Sequence, residues 1–209
     1  MFIELVDLLR CPEPHRDSWL VARMDRVVDR RIIHGALGCP VCGREYQIEN
    51  GIVYFAAASA PAAGEPQADV AMRIAAALGL TAANNVAVLQ GGWGAHARLV
   101  HALGPAQLLL LDPPADAASD DGISILRADA VPLRAAAVDG AAVEASASDA
   151  VRRALIRVVK TGGRVISQSA LVDDDLSEVL ATDSVWIGEV HHAGPKVPLQ
   201  RVPRPIKRL

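Results

Sequence analysis

Val86-Ala87-Val88-Leu89-Gln90-Gly91-Gly92-Trp93-Gly94 is the stretch on which the fold turns. Four apolar residues in a row read as a buried strand. The glycines behind them let the backbone turn sharply and approach a ligand closely. Ala95 to Leu103 then reads as a helix whose first amides lack intrahelical partners. Strand, glycine turn and helix in that order form a device that α/β sheets use for nucleotide-type ligands.

The pattern extends in both directions. Upstream, Val70, Ile74 and Leu78 share one face of a helix that ends near Gly79. Downstream, Leu108 to Leu111 is a second strand, ending in Asp112, and Ile123 to Leu126 is a third, followed by Asp129. Ala141 to Val143 is a fourth. Ser148 to Lys160 has helical periodicity, with Ser148 or Asp149 as N-cap and Gly162-Gly163 as its end. Arg164 to Ser167 and Val185 to Val190 complete the strands. Apolar strands alternating with helices predict an α/β fold with a Rossmann-like, mostly parallel sheet covered on both faces.

The first 55 residues have another texture. They hold all three cysteines, both tyrosines and both phenylalanines. Phe2 to Leu9 reads as a short helix, and Trp19 to Arg23 and Arg31 to His34 as strands. Tyr46 to Tyr54 reads as two strands joined at Asn50-Gly51, a pair that tolerates positive φ. Residues 56–67, with two prolines, a glycine and many alanines, fit a linker. The expected organisation is a small β-rich domain over 1–55, a linker over 56–67, and an α/β domain over 68–209. A basic tail begins at about 196.

Three thiols cannot all pair, so a disulfide framework is excluded as the main device. Cys39-Pro40-Val41-Cys42 supplies two sulfurs at the spacing of a metal knuckle, and Cys11 a third. His15, four residues after Cys11, is the nearest fourth ligand; His34 and Asp17 are weaker candidates. The expected ion is zinc on Cys11, His15, Cys39 and Cys42. A redox Cys-x-x-Cys is the other reading, but no thioredoxin-like strand precedes it.

Val6-Asp7-Leu8-Leu9-Arg10-Cys11-Pro12, Cys39-Pro40-Val41-Cys42 and Tyr46-Gln47-Ile48-Glu49-Asn50-Gly51-Ile52-Val53 together resemble the small zinc-ribbon activator proteins that partner tRNA, ribosomal RNA and release-factor methyltransferases. The pattern covers nearly all of residues 1–55. It departs at Pro14, where the family has its second cysteine, with His15 adjacent. In the two-subunit relatives the resemblance implies that the ribbon covers an apolar edge of the catalytic sheet.

Residues 68–209 resemble class I S-adenosylmethionine-dependent methyltransferases in ordered succession. Val86 to Gly94 stands for the glycine-rich first motif, and Leu110-Leu111-Asp112 for the strand ending in the acidic ribose ligand. Arg127-Ala128-Asp129-Ala130-Val131-Pro132-Leu133 stands for the segment whose acid lies near the adenine. Leu155 to Ile166 is close to the family's Arg-Val-Leu-Lys-Pro-Gly-Gly-Arg-Leu block. The resemblance implies Gln90, Gly92, Gly94, Asp112 and Asp129 as cofactor contacts. The first motif is degraded: Val88 replaces its acid and Gln90 its first glycine, and bulky Trp93 stands beside the turn. Gly92-Trp93-Gly94-Ala95-His96-Ala97 also fits a dinucleotide fingerprint, with Asp112 as its acid. No catalytic base stands out. Glu144 is a weak candidate, and His96, His101, His191 and His192 read as packing, solvent or edge positions.

Composition excludes several classes. The chain is 51% hydrophobic and 22% charged, too apolar for global disorder. No apolar run reaches the ~18 residues of a membrane span, and Met1 to Leu5 is not a secretory leader, so the expected setting is cytoplasmic. The net charge of −3 gives no general attraction to nucleic acid or anionic lipid. Lys196, Arg201, Arg204, Lys207 and Arg208, spaced by prolines, form the one basic stretch suited to RNA phosphates. The expected function is an S-adenosylmethionine-dependent methyltransferase with a fused zinc-ribbon unit. The alternative is a catalytically inactive relative serving as a binding, assembly or regulatory module. A homodimer or a protein partner met through the ribbon is the expected association.

Overall fold

A single sheet of eleven strands runs through the structure, a computed structural model that describes residues 1–56 and 64–192. Most of the linker and the whole basic stretch from Lys196 lie outside the described residues.

The N-terminal strands are β1 (Val21–Val28), β2 (Arg31–Gly38), β3 (Glu45–Glu49) and β4 (Ile52–Tyr54). They pair antiparallel in sequence order. Asp29 and Arg30 join β1 to β2 with φ of 47° and 60°, and Asn50 and Gly51 join β3 to β4 with φ of 52° and 77°. Two consecutive positive φ angles match the right-handed twist of the flanking strands.

The α/β part holds β5 (Val86–Gln90), β6 (Gln107–Leu111), β7 (Ile123–Arg127), β8 (Val138–Val143), β9 (Val159–Ser167), β10 (Leu176–Ala181) and β11 (Trp186–Val190). The order across the whole sheet is β1-β2-β3-β4-β7-β6-β5-β8-β9-β11-β10. Strands β7, β6, β5, β8 and β9 are mutually parallel, as the apolar runs predict. Strand β11 lies antiparallel to both β9 and β10.

Helices α1 (Ala68–Leu78) and α2 (Ala97–Leu103) contact each other. Ile74, Leu78 and Val100 pack there with Leu89, Leu108 and Leu110. Helix α3 (Asp149–Val158) lies against β8 and β9, and its Leu155 and Ile156 join the second core with Val88, Leu109 and Val143. Gly79 closes α1 in the left-handed conformation, at φ 63°. The Ser148 hydroxyl accepts from the Val151 N–H at 3.3 Å, which makes it the N-cap of α3.

Two boundaries differ from the sequence reading. Helix α3 stops at Val158, not at Gly162-Gly163, and β9 begins at Val159 and runs through both glycines. Val158-Val159 straddle the switch, and neither glycine nor proline stands there to mark it. Strand β10 was not expected; its exposed edge position leaves little apolar alternation in Leu176 to Ala181.

The N-terminal unit is built into the same core. Strand β4 pairs parallel with β7, from Ile52↔Ile125 to Tyr54↔Arg127. A 3₁₀ turn over Ile3–Leu8 lays Leu5 and Leu9 beside Leu111, Leu126 and Leu133. Arg10 N–H donates to Pro132 O at 2.9 Å and Arg134 N–H to Leu8 O at 2.9 Å. The stretch from Asp112 to Ile123 forms no helix.

Candidate functional site

Two groups of side chains bear chemistry. The first is the cysteine cluster. Cys39 to Cys42 wraps around the Cys39 sulfur, with Gly43 N–H returning to Cys39 O at 2.9 Å. The 3₁₀ turn delivers Cys11, and the loop behind it delivers His15. The ligand atoms of Cys11, His15, Cys39 and Cys42 all lie within 4.8 Å of one another. Cys11 and Cys42 sulfurs are 3.8 Å apart, and His15 Nε2 is 3.2 Å from Cys11 Sγ and 3.4 Å from Cys39 Sγ. Four ligands at zinc–sulfur and zinc–nitrogen bond lengths form a tetrahedron with edges of roughly 3.3–3.8 Å.

The surroundings also suit a cation. His15 Nδ1 lies 2.6 Å from Arg16 O. A carbonyl can only accept, so Nδ1 holds the proton and the Nε2 lone pair faces the sulfurs. Burial pushes the Cys39 thiol up, but the Cys42 and Val41 N–H groups and the neighbouring thiols outweigh it and bring it down to about 6. Burial pushes the Cys11 thiol up, with the Tyr46 hydroxyl at 3.2 Å opposing. The cluster can hold a metal ion. Asp17 instead pairs with Arg10, and His34 lies on β2 opposite Arg26, so neither joins it.

The second group lines the carboxyl ends of the parallel strands. Gly91 turns the chain out of β5 with φ 62°. The Gly92 N–H donates to Glu144 Oε1 at 2.6 Å. The Glu144 N–H donates in turn to Gln90 Oε1 at 2.9 Å. The degraded position Gln90 thus ties the end of β5 to the end of β8, and Glu144 lies against the glycines. A Cβ at Gly92 would stand 2.6 Å from Glu144 Oε1, and one at Gly94 2.6 Å from the Pro113 ring. The proline behind Asp112 therefore packs on the glycine turn itself.

Asp112 has φ 47° and its carboxylate lies 3.5 Å from Arg127 Nη1. Burial pushes its carboxyl up, and the Arg127 guanidinium opposes this. Arg127 is buried and also donates to the Pro113 and Pro114 carbonyls. Asp129 is exposed beyond the end of β7. Val88 is fully buried in the core. Trp93 is 5% exposed, with its indole nitrogen unpartnered.

A cavity of about 370 Å³ opens beside the turn, lined among others by Arg73, Trp93, His96, Glu144, Gln168 and Val185. Burial lowers the His96 pKa, and its Nδ1 lies 3.1 Å from the Gln67 N–H, which donates to it. A larger hollow of about 750 Å³ lies away from the glycine turn, between α3 and residues 170–175.

No family profile matches the sequence, and no curated protein is similar to it. Solved structures do show a likeness. An S-adenosyl-L-methionine methyl transferase from Silicibacter pomeroyi DSS-3 superposes with a TM-score of 0.44 at 13% identity, over 59% of this chain and 90% of that one. A methyltransferase from Geobacter sulfurreducens gives 0.41 at 12%, over 60% and 78%. Geranyl diphosphate C-methyltransferase from Streptomyces coelicolor A3(2) gives 0.40 at 18%, over 47% and 43%. The likeness is one of fold. The chain spans about half the length of the geranyl diphosphate methyltransferases that it matches.

The residues that sequence reasoning missed are Arg127 and Pro113, and Glu144 in its role as a cap. Arg127 had a signal: a lone cation ends the apolar run Ile123 to Leu126, two residues before Asp129. A cation at a buried strand end needs an anion, and Asp112 is the one at the neighbouring strand end.

Proposed function

We propose that this chain is a methyltransferase-like binding or assembly module, zinc-bound through its N-terminal ribbon, that does not hold S-adenosylmethionine in the family's manner. One observation carries the reading. Two of the polar groups expected to meet the cofactor are engaged by the chain's own side chains: Gly92 N–H by Glu144, and the Asp112 carboxylate by Arg127. Packing of Pro113 on Gly94 closes the space between them at that level. An adenosyl group would have to displace a half-buried ion pair and a packed proline ring, and separating a buried guanidinium from its counter-ion is unfavourable.

A second reading, an active methyltransferase, is favoured by the cavity beside the turn, where His96 and Glu144 meet apolar Trp93 and Val185. Methyl transfer can run on positioning without a protein base. Thermal unfolding with S-adenosylmethionine or S-adenosylhomocysteine separates the two. A ligand at 100 times its dissociation constant stabilises by about 2.7 kcal/mol. The module reading expects no shift at millimolar ligand; a clear shift, followed by methyl transfer to any acceptor, overturns it.

A further inference from the structure

The cavity beside the glycine turn is walled by hydrogen-bond donors that lack partners. Trp93 lines it, is 5% exposed, and leaves its indole N–H unpaired. His96 lines it too. Its Nδ1 accepts from the Gln67 N–H at 3.1 Å, so in the neutral ring the proton sits on Nε2. Gln168 Oε1 accepts from the Ala145 N–H at 3.0 Å, which leaves the amino end of that amide to donate. Neither of these two donors has a partner among the described residues.

The charges on the wall are already matched. Arg73 pairs with Asp69. The Glu144 carboxylate accepts from the Gly92 N–H at 2.6 Å and from the Ser146 hydroxyl at 3.3 Å. Among the described lining residues no unpaired cation remains to balance an anion, and Glu144 would repel one. Val70, Ile166 and Val185 add an apolar wall beside the Trp93 ring. At about 370 Å³ the space falls at the small end of ligand cavities, which are mostly apolar with a few placed polar groups. A buried donor without an acceptor lowers stability, and native structures keep few of them. A ligand that brings an acceptor removes that cost.

We infer that this cavity binds a small neutral carbonyl compound with an apolar body, whose oxygen accepts from the Trp93 indole, with His96 and Gln168 as the further donors. A ketone or amide oxygen offers two lone pairs and no charge, which suits uncharged donors beside a carboxylate. The apolar body replaces water against Val70, Ile166 and Val185. The inference rests on the module reading in one respect: the cavity is left free of S-adenosylmethionine.

Titration of the full chain with acetophenone, followed through the indole signals in nitrogen–proton correlation spectra, tests it. The chain has three tryptophans, and Trp93→Phe assigns the signal that matters. Acetophenone up to about 5 mM, the range of a weak small ligand, moves the Trp93 proton downfield and saturates. Toluene lacks the oxygen and benzoate is charged; each binds roughly tenfold more weakly or worse. Gln168 is exposed, and Gln168→Glu keeps the acceptor for the Ala145 N–H while replacing the donor with a carboxylate oxygen. With its melting temperature unchanged, that variant also binds acetophenone roughly tenfold more weakly. A Trp93 signal that stays still, toluene or benzoate binding as tightly as acetophenone, or a Gln168→Glu variant that binds like the wild type overturns the assignment. The S-adenosylmethionine melts judge the module reading separately. A shift there with acetophenone still bound overturns the module alone, and a silent indole without such a shift overturns only the carbonyl site.

Discussion

Arg127 shows how much one side chain can fix. Its guanidinium reaches the Asp112 carboxylate and the carbonyls of Pro113 and Pro114. Without it a half-buried carboxylate loses its counter-ion and two carbonyls lose their donor. Arg127→Met is expected to cost about 2–3 kcal/mol in urea unfolding. Adding Asp112→Asn should recover much of that, because asparagine tolerates the positive φ and carries no charge. A second residue-scale effect concerns Met1. Its amine donates to Ile32 O at 3.1 Å and Gly51 O at 2.8 Å, and burial lowers its pKa to about 5 from the usual 8.0. Between those values the unfolded chain holds a proton that the folded chain lacks. Stability therefore rises as pH increases from about 5 to about 8, by up to about 4 kcal/mol over the full window. Urea midpoints at pH 5.5 and 8 should show it; equal midpoints would refute the buried amine.

At the scale of elements, the proposed zinc would tie the cysteine knuckle to Cys11 and His15. Purified protein should carry close to one zinc per chain by elemental analysis. Cys39→Ser should lose the metal and speed amide exchange locally around Cys39 to Gly43 and His15, because metal binding contributes folding free energy to the segments that it joins. Much at this scale was legible in the sequence. Asn50-Gly51 announced its hairpin, Ser148 its cap, Gly79 its helix end, and the Cys-x-x-Cys spacing its partners. What stayed hidden has physical causes. The α3–β9 switch falls inside apolar residues that suit either state. Strand β10 is an exposed edge with no buried face to impose a period of two. The Asp112–Arg127 pair joins strand ends 15 residues apart, so the lone cation after Leu126 signals a need for an anion while its partner is set only by the strand order.

For the whole molecule, the consequence of the β4–β7 pairing is cooperativity. Leu5, Leu9 and Tyr46 share a core with Val88, Leu109 and Leu155. Heat unfolding should therefore be one transition, not a ribbon melting before an α/β domain, and calorimetric and van't Hoff enthalpies should agree. Two resolved transitions would show instead that the composition break at residues 56–67 divides the chain energetically as well as in sequence. Leu9→Ala should lower that single transition by about 2–5 kcal/mol, although Leu9 lies in the N-terminal unit.

A sheet this wide also sets directions. Successive strands rotate by roughly 20–25°, and six steps separate β5 from β1. The rim at β1 is therefore swung through roughly 120–150° from the strand that carries the glycine turn. Strands that begin as one sheet at the glycine turn therefore run in a very different direction by the time the sheet reaches β1, six strands away.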